Sequence, residues 1–339
     1  MKTLSHKERL KLLLEGKEID RPPISFWRHF YHLETNPKGL AKAIIDFQKK
    51  FDWDFIKVNP RASYHTEGWG VKVKFSKDFL KKPQVIKHPI KKTLGWGKIN
   101  YLSPNQGALG EQLEALKIIK KEFGDDVFIV MTVFSPLSMA GDLVSSEKQL
   151  LNDLKAHPQT IHQALEIISK TFADFALQCL KSGADGIFFA TTQWASFDLL
   201  TEKEYLEFGK PYDLRVLNKI KDVEFNILHV CGKNNMLHLF RDYPVSVVNW
   251  DATDSTNLSL KDGAKILNKV VLDGIDHKNL LKNGKPDEIK KEIKKTIESH
   301  RDIRLILGPG CAIPPEVAEA NLKAAREAVD EFRGIKGIC

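Results

Sequence analysis

The stretch "VFIVMTVFSP", residues 127–136, is apolar at every position from Val127 to Phe134 except Thr132. It shows no alternation of apolar and polar residues, which is the pattern of a strand buried on both faces, as in parallel sheets. Seven further runs share its character: 22–28 "PPISFWR", 51–59 "FDWDFIKVN", 183–191 "GADGIFFAT", 225–232 "FNILHVCG", 245–251 "VSVVNWD", 269–276 "KVVLDGID" and 305–311 "LILGPGC". Amphipathic stretches such as residues 146–183 separate most of them. Eight apolar strands alternating with helices predict an α/β fold, a closed parallel (β/α)8 TIM barrel, over a single domain spanning 1–339. An open doubly wound sheet is the competing arrangement, but it normally carries a glycine-rich phosphate loop after an early strand, and none is present.

One connection is too long for a plain turn. Residues 60–126, after the second expected strand, include "GWGVKVKFSKDFLKKPQVIKHPIKKTLGWG" (68–97), with short β-like pieces between paired Gly-Trp-Gly turns. Barrel sites are built from the loops that follow strands, so this insertion is expected on the functional rim, with a peripheral decoration as the bland alternative.

Composition narrows the function classes. The 339 residues carry Lys+Arg 52 against Asp+Glu 44, a net charge of +8, but the lysines are spread along segments such as "PDEIKKEIKKTIESH" (286–300) that read as solvated helix faces. No compact basic tract with interleaved aromatics argues for nucleic acid. The start "MKTLSHKERLKLLLEGKEID" lacks the apolar core of a signal peptide, and no run approaches membrane-spanning length. The four cysteines, Cys179, Cys231, Cys311 and Cys339, are far apart, which argues against a disulfide framework and for a reducing cytoplasm. Cys179 reads as core filling on a helix and Cys339 as a frayed terminus.

The remaining two cysteines sit at strand ends. In "LHVCGKN" (228–234), His229 and Cys231 are two residues apart, the side-chain repeat of a strand, so they project from one face. Cys311 ends the last strand in "GPGC", with glycines flanking Pro309 that permit close backbone approach, and Asp251 ends the sixth. A thiolate and an imidazole side by side suit zinc, and in a barrel all these ends open onto one mouth. Three protein ligands and an exchangeable fourth position would make a catalytic rather than a structural site. The pair alone fits a buried thiol beside a hydrogen-bonded imidazole equally well.

Three segments carry a resemblance over nearly the whole chain: "HKERLKLLLEGKEIDRPPISFWRHF" (6–30), "LKSGADGIFFATTQWASFDLLTEKEYLEFGKPY" (180–212) and "GPGCAIPPEVAEANLKAAREAV" (308–329). They resemble the uroporphyrinogen decarboxylase superfamily. "HVCG" followed by the late "GPGC" is similar to its zinc-dependent corrinoid:thiol methyltransferase branch, and the His-x-Cys…Cys arrangement also occurs in cobalamin-independent methionine synthases. The resemblance implies a methyltransferase that moves a methyl group from a methylated corrinoid protein to a small thiol such as coenzyme M. It implies Zn2+ held by His229, Cys231 and Cys311 as the catalytic set, Asp251 as a less certain fourth ligand, and methylcobalamin supplied by the partner protein. Decarboxylases of the superfamily carry an early "RQAGRY" signature for substrate carboxylates and a late histidine. Here the early segment is "FWRHFYHLE" (26–34), which keeps only Arg28, and the late loop ends in Cys311. A substrate with many carboxylates needs a more cationic mouth, which leaves a decarboxylase, or a non-catalytic corrinoid- or metal-binding barrel, as the alternatives.

Direct binding of sulfur to zinc removes the thiol proton and leaves a nucleophile. Around that centre the expected substrate-contacting residues are Arg28, Asn59, Gln193, Trp194 and Asp276, with Trp27, His29, Arg61 and His277 beside them at strand ends. His162 and His238 fall on helix-like segments and read as surface or core residues.

Overall fold

The computed structural model describes residues 3–334, so Cys339 lies outside the described residues. Nine strands form among the described residues: β1 Phe55–Val58, β2 Lys72–Lys74, β3 Gln84–Lys87, β4 Phe128–Phe134, β5 Gly186–Ala190, β6 Ile227–Val230, β7 Val247–Trp250, β8 Val270–Ile275 and β9 Leu305–Pro309. Seven make one parallel sheet in the order β1-β4-β5-β6-β7-β8-β9, a TIM-like arrangement, and almost every residue in them is buried. The continuous apolar runs follow from that double burial, with helices packed outside and side chains filling the inside. Helices between the strands start where the chain supplies caps: the Ser146 side chain accepts from the Gln149 N–H, and Pro158 opens the long helix Pro158–Lys181 that buries Cys179.

The expected strand at 22–28 is reduced to one parallel bridge, Ile24 with Leu307. Pro22 and Pro23 have no N–H to give a ladder. What they leave still joins the two edges of the sheet: Ser25 N donates to Leu307 O, Leu307 N to Pro23 O, and Asp54 N, just before β1, to Ile24 O. The other seven expected strands are present with shorter bounds.

The expected insertion at 60–126 is also revised. Its last part, the helix Gly107–Phe123, is the ordinary crossover from β1 to the parallel β4. The added material is residues 60–106: a short helix Tyr64–Glu67, the antiparallel pair β2–β3 and a 3-10 turn Thr93–Lys98. The Gly-Trp-Gly turns are its anchors. Trp69 Nε1 donates to Asn100 O, and Trp96 Nε1 donates to Asp153 on a neighbouring helix. Ile90 bridges Val144, which places the added segment against the chain that follows β4.

At the N-terminal end of the sheet, Arg9 and Arg21 surround the buried Asp54, and Arg9 also grips Asp20. These buried cations hold Asp54 well below the usual carboxylate range despite the desolvation that opposes it. This end is structural; the opposite end carries the chemistry-bearing residues.

Candidate metal centre

β6 ends at Val230, and the chain turns at Gly232, whose φ of 86° is favourable only for glycine. That turn leaves Cys231 at the mouth, one step above His229. β9 ends at Pro309, and Cys311 follows. Gly310 is there because of its neighbour: an added Cβ would lie 2.5 Å from Asp251 Cα. The close packing of these two strand ends brings Cys311 across the mouth to Cys231.

The resulting cluster is compact. One donor atom each from His229, Cys231 and Cys311 lies within 4.8 Å of the others, and the two sulfurs are 3.8 Å apart. Two sulfur ligands about 2.3 Å from one tetrahedral ion subtend nearly that separation, so the donor set fits zinc in both kind and spacing.

The tautomer of His229 is set by its neighbours. Asn249, opposite it in the β6–β7 register, gives its Nδ2 protons to Leu272 O at 2.6 Å and Pro309 O at 3.1 Å. Its Oδ1 therefore faces His229 Nδ1, 2.6 Å away, and must accept. The proton sits on Nδ1 and the Nε2 lone pair is free, the form a metal requires. Between the thiols one proton is shared. The Cys231–Cys311 hydrogen bond holds Cys311 well below the ordinary thiol range against its burial, while the same hydrogen bond and burial push Cys231 up.

Asp251 is buried beside the cluster but not within it. Its carboxylate pairs with Lys278 at 2.6 Å and accepts from Thr253 Oγ1 at 2.6 Å. Burial opposes the charge of Asp251, yet these partners keep its pKa below the ordinary value. Asp276 uses its carboxylate to accept the N–H groups of Lys278 and Asn279, so it shapes the loop that presents Lys278. His277 is buried near Cys311 and Asp251, with burial pulling its pKa down against them.

The other expected contact residues divide. Arg28 lies over the rings of Phe30 and Phe47 and donates to Pro315 O. Asn59 is buried and accepts from Lys57 Nζ. Gln193 is exposed and reaches Glu147, while Trp194 is buried against Gly141, where a Cβ would lie 2.2 Å from its Nε1. Among the described residues neither shares a hydrogen bond or ring contact with His229, Cys231 or Cys311. Arg61 is consumed by Glu67 and Glu111.

Two neighbours of the centre escaped the sequence reading. Asn249 sits inside a strand where only the strand register reveals its partner. Lys57, inside β1, is buried with its ammonium 4.4 Å from the Phe188 ring centroid, and Phe188 in turn packs on His229. A lysine within an otherwise apolar four-residue strand, "FIKV", was the available signal.

The uroporphyrinogen decarboxylase family model matches residues 5–332. The chain is 24% identical to a methylcobamide:CoM methyltransferase, MtbA, of Methanosarcina acetivorans, over 96% of this chain and 98% of that one. It is 25% identical to a uroporphyrinogen decarboxylase of Prochlorococcus marinus, over 92% and 93%. A solved methyltransferase from Methanosarcina mazei superposes with a TM-score of 0.83 at 25% identity, covering 97% of this chain and 99% of that one.

Proposed function

We propose that this chain, which belongs to the uroporphyrinogen decarboxylase family, is a zinc-dependent methyltransferase carrying a methyl group from a methylcorrinoid protein to a small thiol. One observation carries the reading: two thiols and a correctly tautomerised imidazole converge at one mouth of the barrel-like sheet. His229, Cys231 and Cys311 would hold the ion, which when bound supplies a Lewis acid that takes the acceptor sulfur as thiolate at neutral pH. The chain's part is to keep that sulfur electron-rich. Two cysteinates cancel the charge of a divalent ion, unlike the imidazole-rich sites that make hydroxide. Asn249 keeps the His229 lone pair aimed at the centre. Asp251, a proposed fourth ligand, would have to release Lys278 to reach it, which makes the Asp251–Lys278 pair a means of vacating the position for the acceptor.

In the transfer itself the sulfur lone pair forms the S–CH3 bond, the cobalt–carbon electron pair stays on cobalt as cobalt(I), and the thiol proton goes to solvent. No general acid is needed. Methylcobalamin arrives on the partner protein.

The relatives named as decarboxylases favour a second reading, a decarboxylase-like carboxy-lyase. It is weakened by Arg28, which is occupied by two aromatic faces and a carbonyl, and by the cysteine at the late loop. A non-catalytic metal- or corrinoid-binding barrel would keep the same ligands. The test is elemental analysis of the purified protein followed by methyl transfer from free methylcobalamin to a panel of thiols. Stoichiometric zinc with thioether formation supports the proposal. Zinc without transfer leaves the accessory barrel, and absence of both returns the decarboxylase.

A further inference from the structure

We infer that Cys231 and Cys311 are also an oxidation site: a hydroperoxide converts the pair into a disulfide, and the disulfide form does not hold the metal. The inference goes beyond methyl transfer and rests only on the donor set, so it stands under any of the readings above. The two sulfurs lie 3.8 Å apart. A disulfide bond is about 2 Å long, which leaves a gap of about 1.8 Å to close. That is less than the swing of a sulfur between two side-chain rotamers. Each cysteine is half-buried and stands next to a glycine, Gly232 after one and Gly310 before the other. Nothing lies within 4 Å of where a Cβ would be at Gly232, so that turn has room to yield. Cys179 is no competitor, being fully buried on the helix Pro158–Lys181.

The oxidation proceeds in two steps. One sulfur attacks the peroxide: an S–O bond forms, the O–O bond breaks, and the departing oxygen takes a proton to leave as water or an alcohol. The second sulfur then attacks the sulfenic acid. The S–S bond forms, the S–O bond breaks, and that oxygen leaves as water. The two sulfurs together give up two electrons, and the peroxide takes them. Because the second sulfur is already in place, it intercepts the sulfenic acid before more peroxide carries it to the irreversible sulfinic acid. The thiolate is the form that binds a metal, so the disulfide leaves only His229 of the three donors. Oxidation and metal binding thus draw on the same two sulfurs and exclude each other. Cys231 follows β6 and Cys311 follows β9, with β7 and β8 between them in the sheet. The product is therefore a link across the mouth between residues 80 apart in the chain, which identifies it without ambiguity.

The experiment adds hydrogen peroxide stepwise to the zinc-loaded protein. Released zinc is followed with a chromophoric chelator, and the thiols by alkylation and peptide mass mapping without reductant. One equivalent of zinc should leave per disulfide formed, the mass should fall by two hydrogens, and one linked peptide pair should contain Cys231 and Cys311. Dithiothreitol with added zinc should restore both thiols and the metal. Cys179→Ala and Cys339→Ala should match the parent. In Cys231→Ser the link is impossible, so Cys311 should go on to sulfinic acid, which dithiothreitol does not reverse. Zinc loss with oxygen added to the parent and no Cys231–Cys311 link overturns the site, as does a link through Cys179 or Cys339 instead. A disulfide form that binds zinc as tightly as the reduced form overturns it too. Should Cys231→Ser fail to fold, the peptide map of the parent decides alone. Formation of the link in a protein that methylates no thiol supports the oxidation site and sinks the methyltransferase reading instead.

Discussion

At the residue scale the centre depends on which atoms are free to donate. Asn249 gives both its amide protons to main-chain carbonyls of β8 and β9, which leaves its oxygen to accept from His229. Removing such a partner of a metal-bound histidine typically weakens the metal about 10- to 100-fold. Asn249→Leu should therefore lower zinc affinity within that range, measured by competition with a chromophoric chelator, while Cys231→Ser and Cys311→Ser should lower occupancy far more. His229→Ala falls between them, and Asp251→Asn should keep the metal. Equal zinc binding by all five variants and the parent would mean the ligand set is wrong. The three donors were legible in the sequence because cysteine is scarce here and two of four stood at strand ends beside glycine. Lys57 and Asn249 were not, because a polar residue inside a strand points inward or outward according to a register that only the assembled sheet reveals.

Elements are held in place by contacts that one methyl group can break. Gly310 lets β9's end lie against Asp251, and an alanine Cβ there would meet backbone rather than a side chain able to swing away. Gly310→Ala should lose about 1–3 kcal/mol of stability through the forced backbone shift. It should also separate Cys311 from Cys231, so weaker zinc binding must accompany the lower Tm. A loss of stability with zinc affinity intact would show that the sulfurs are positioned by something else. The sequence revealed the glycines but not their partner, since Asp251 is far away along the chain. It overstated the first strand for a related reason: apolar content was read at 22–28, while the two prolines had already removed the donors a ladder needs.

The opposite end of the sheet gives a pH dependence at the same scale. His6, on the first helix, Joins Asp52 and Asp54 at 2.9 and 3.0 Å and so ties that helix to β1. Burial disfavours its charge, but the two carboxylates outweigh this and raise its pKa to about 9 from 6.5. A raised pKa contributes stability that is whole below pH 6.5 and disappears as pH climbs toward 9. After allowance for partial exposure the loss should be about 2 kcal/mol. Thermal unfolding from pH 6.5 to 9 should show Tm falling in the parent, with a shallower fall in His6→Ala. Parallel profiles would remove His6 from the account.

Across the whole molecule, one end of the sheet carries the buried ion pairs of Arg9, Asp20, Arg21 and Asp54 and the other carries the His229, Cys231 and Cys311 cluster, and the added segment leaves at the cluster's end. Among the described residues no helix is long and apolar enough to cross a membrane. Between residues 71 and 98 the sequence places nine lysines against one aspartate. The same segment exposes Phe75, Phe79, Leu80, Val85, Ile86 and Leu94, an unusual concentration of large apolar side chains in water. It leaves the sheet after β1, at the same end as Cys231 and Cys311, and Phe79 reaches the His32 ring while Ile90 bridges Val144. Under the proposed function, a cationic surface with apolar anchors at that end is what a protein delivering methylcobalamin would meet first. Replacing residues 74–86 by a short glycine-serine turn leaves the Trp69 and Trp96 anchors untouched. That variant should lose at least tenfold in transfer from the corrinoid protein, mostly in KM, because charge steering and anchoring both act on encounter. Transfer from free methylcobalamin should change little, and added salt should depress the first reaction in the parent more than in the variant. Equal losses with both donors would instead place the segment in the support of the centre, and no loss with either would leave it outside the reaction.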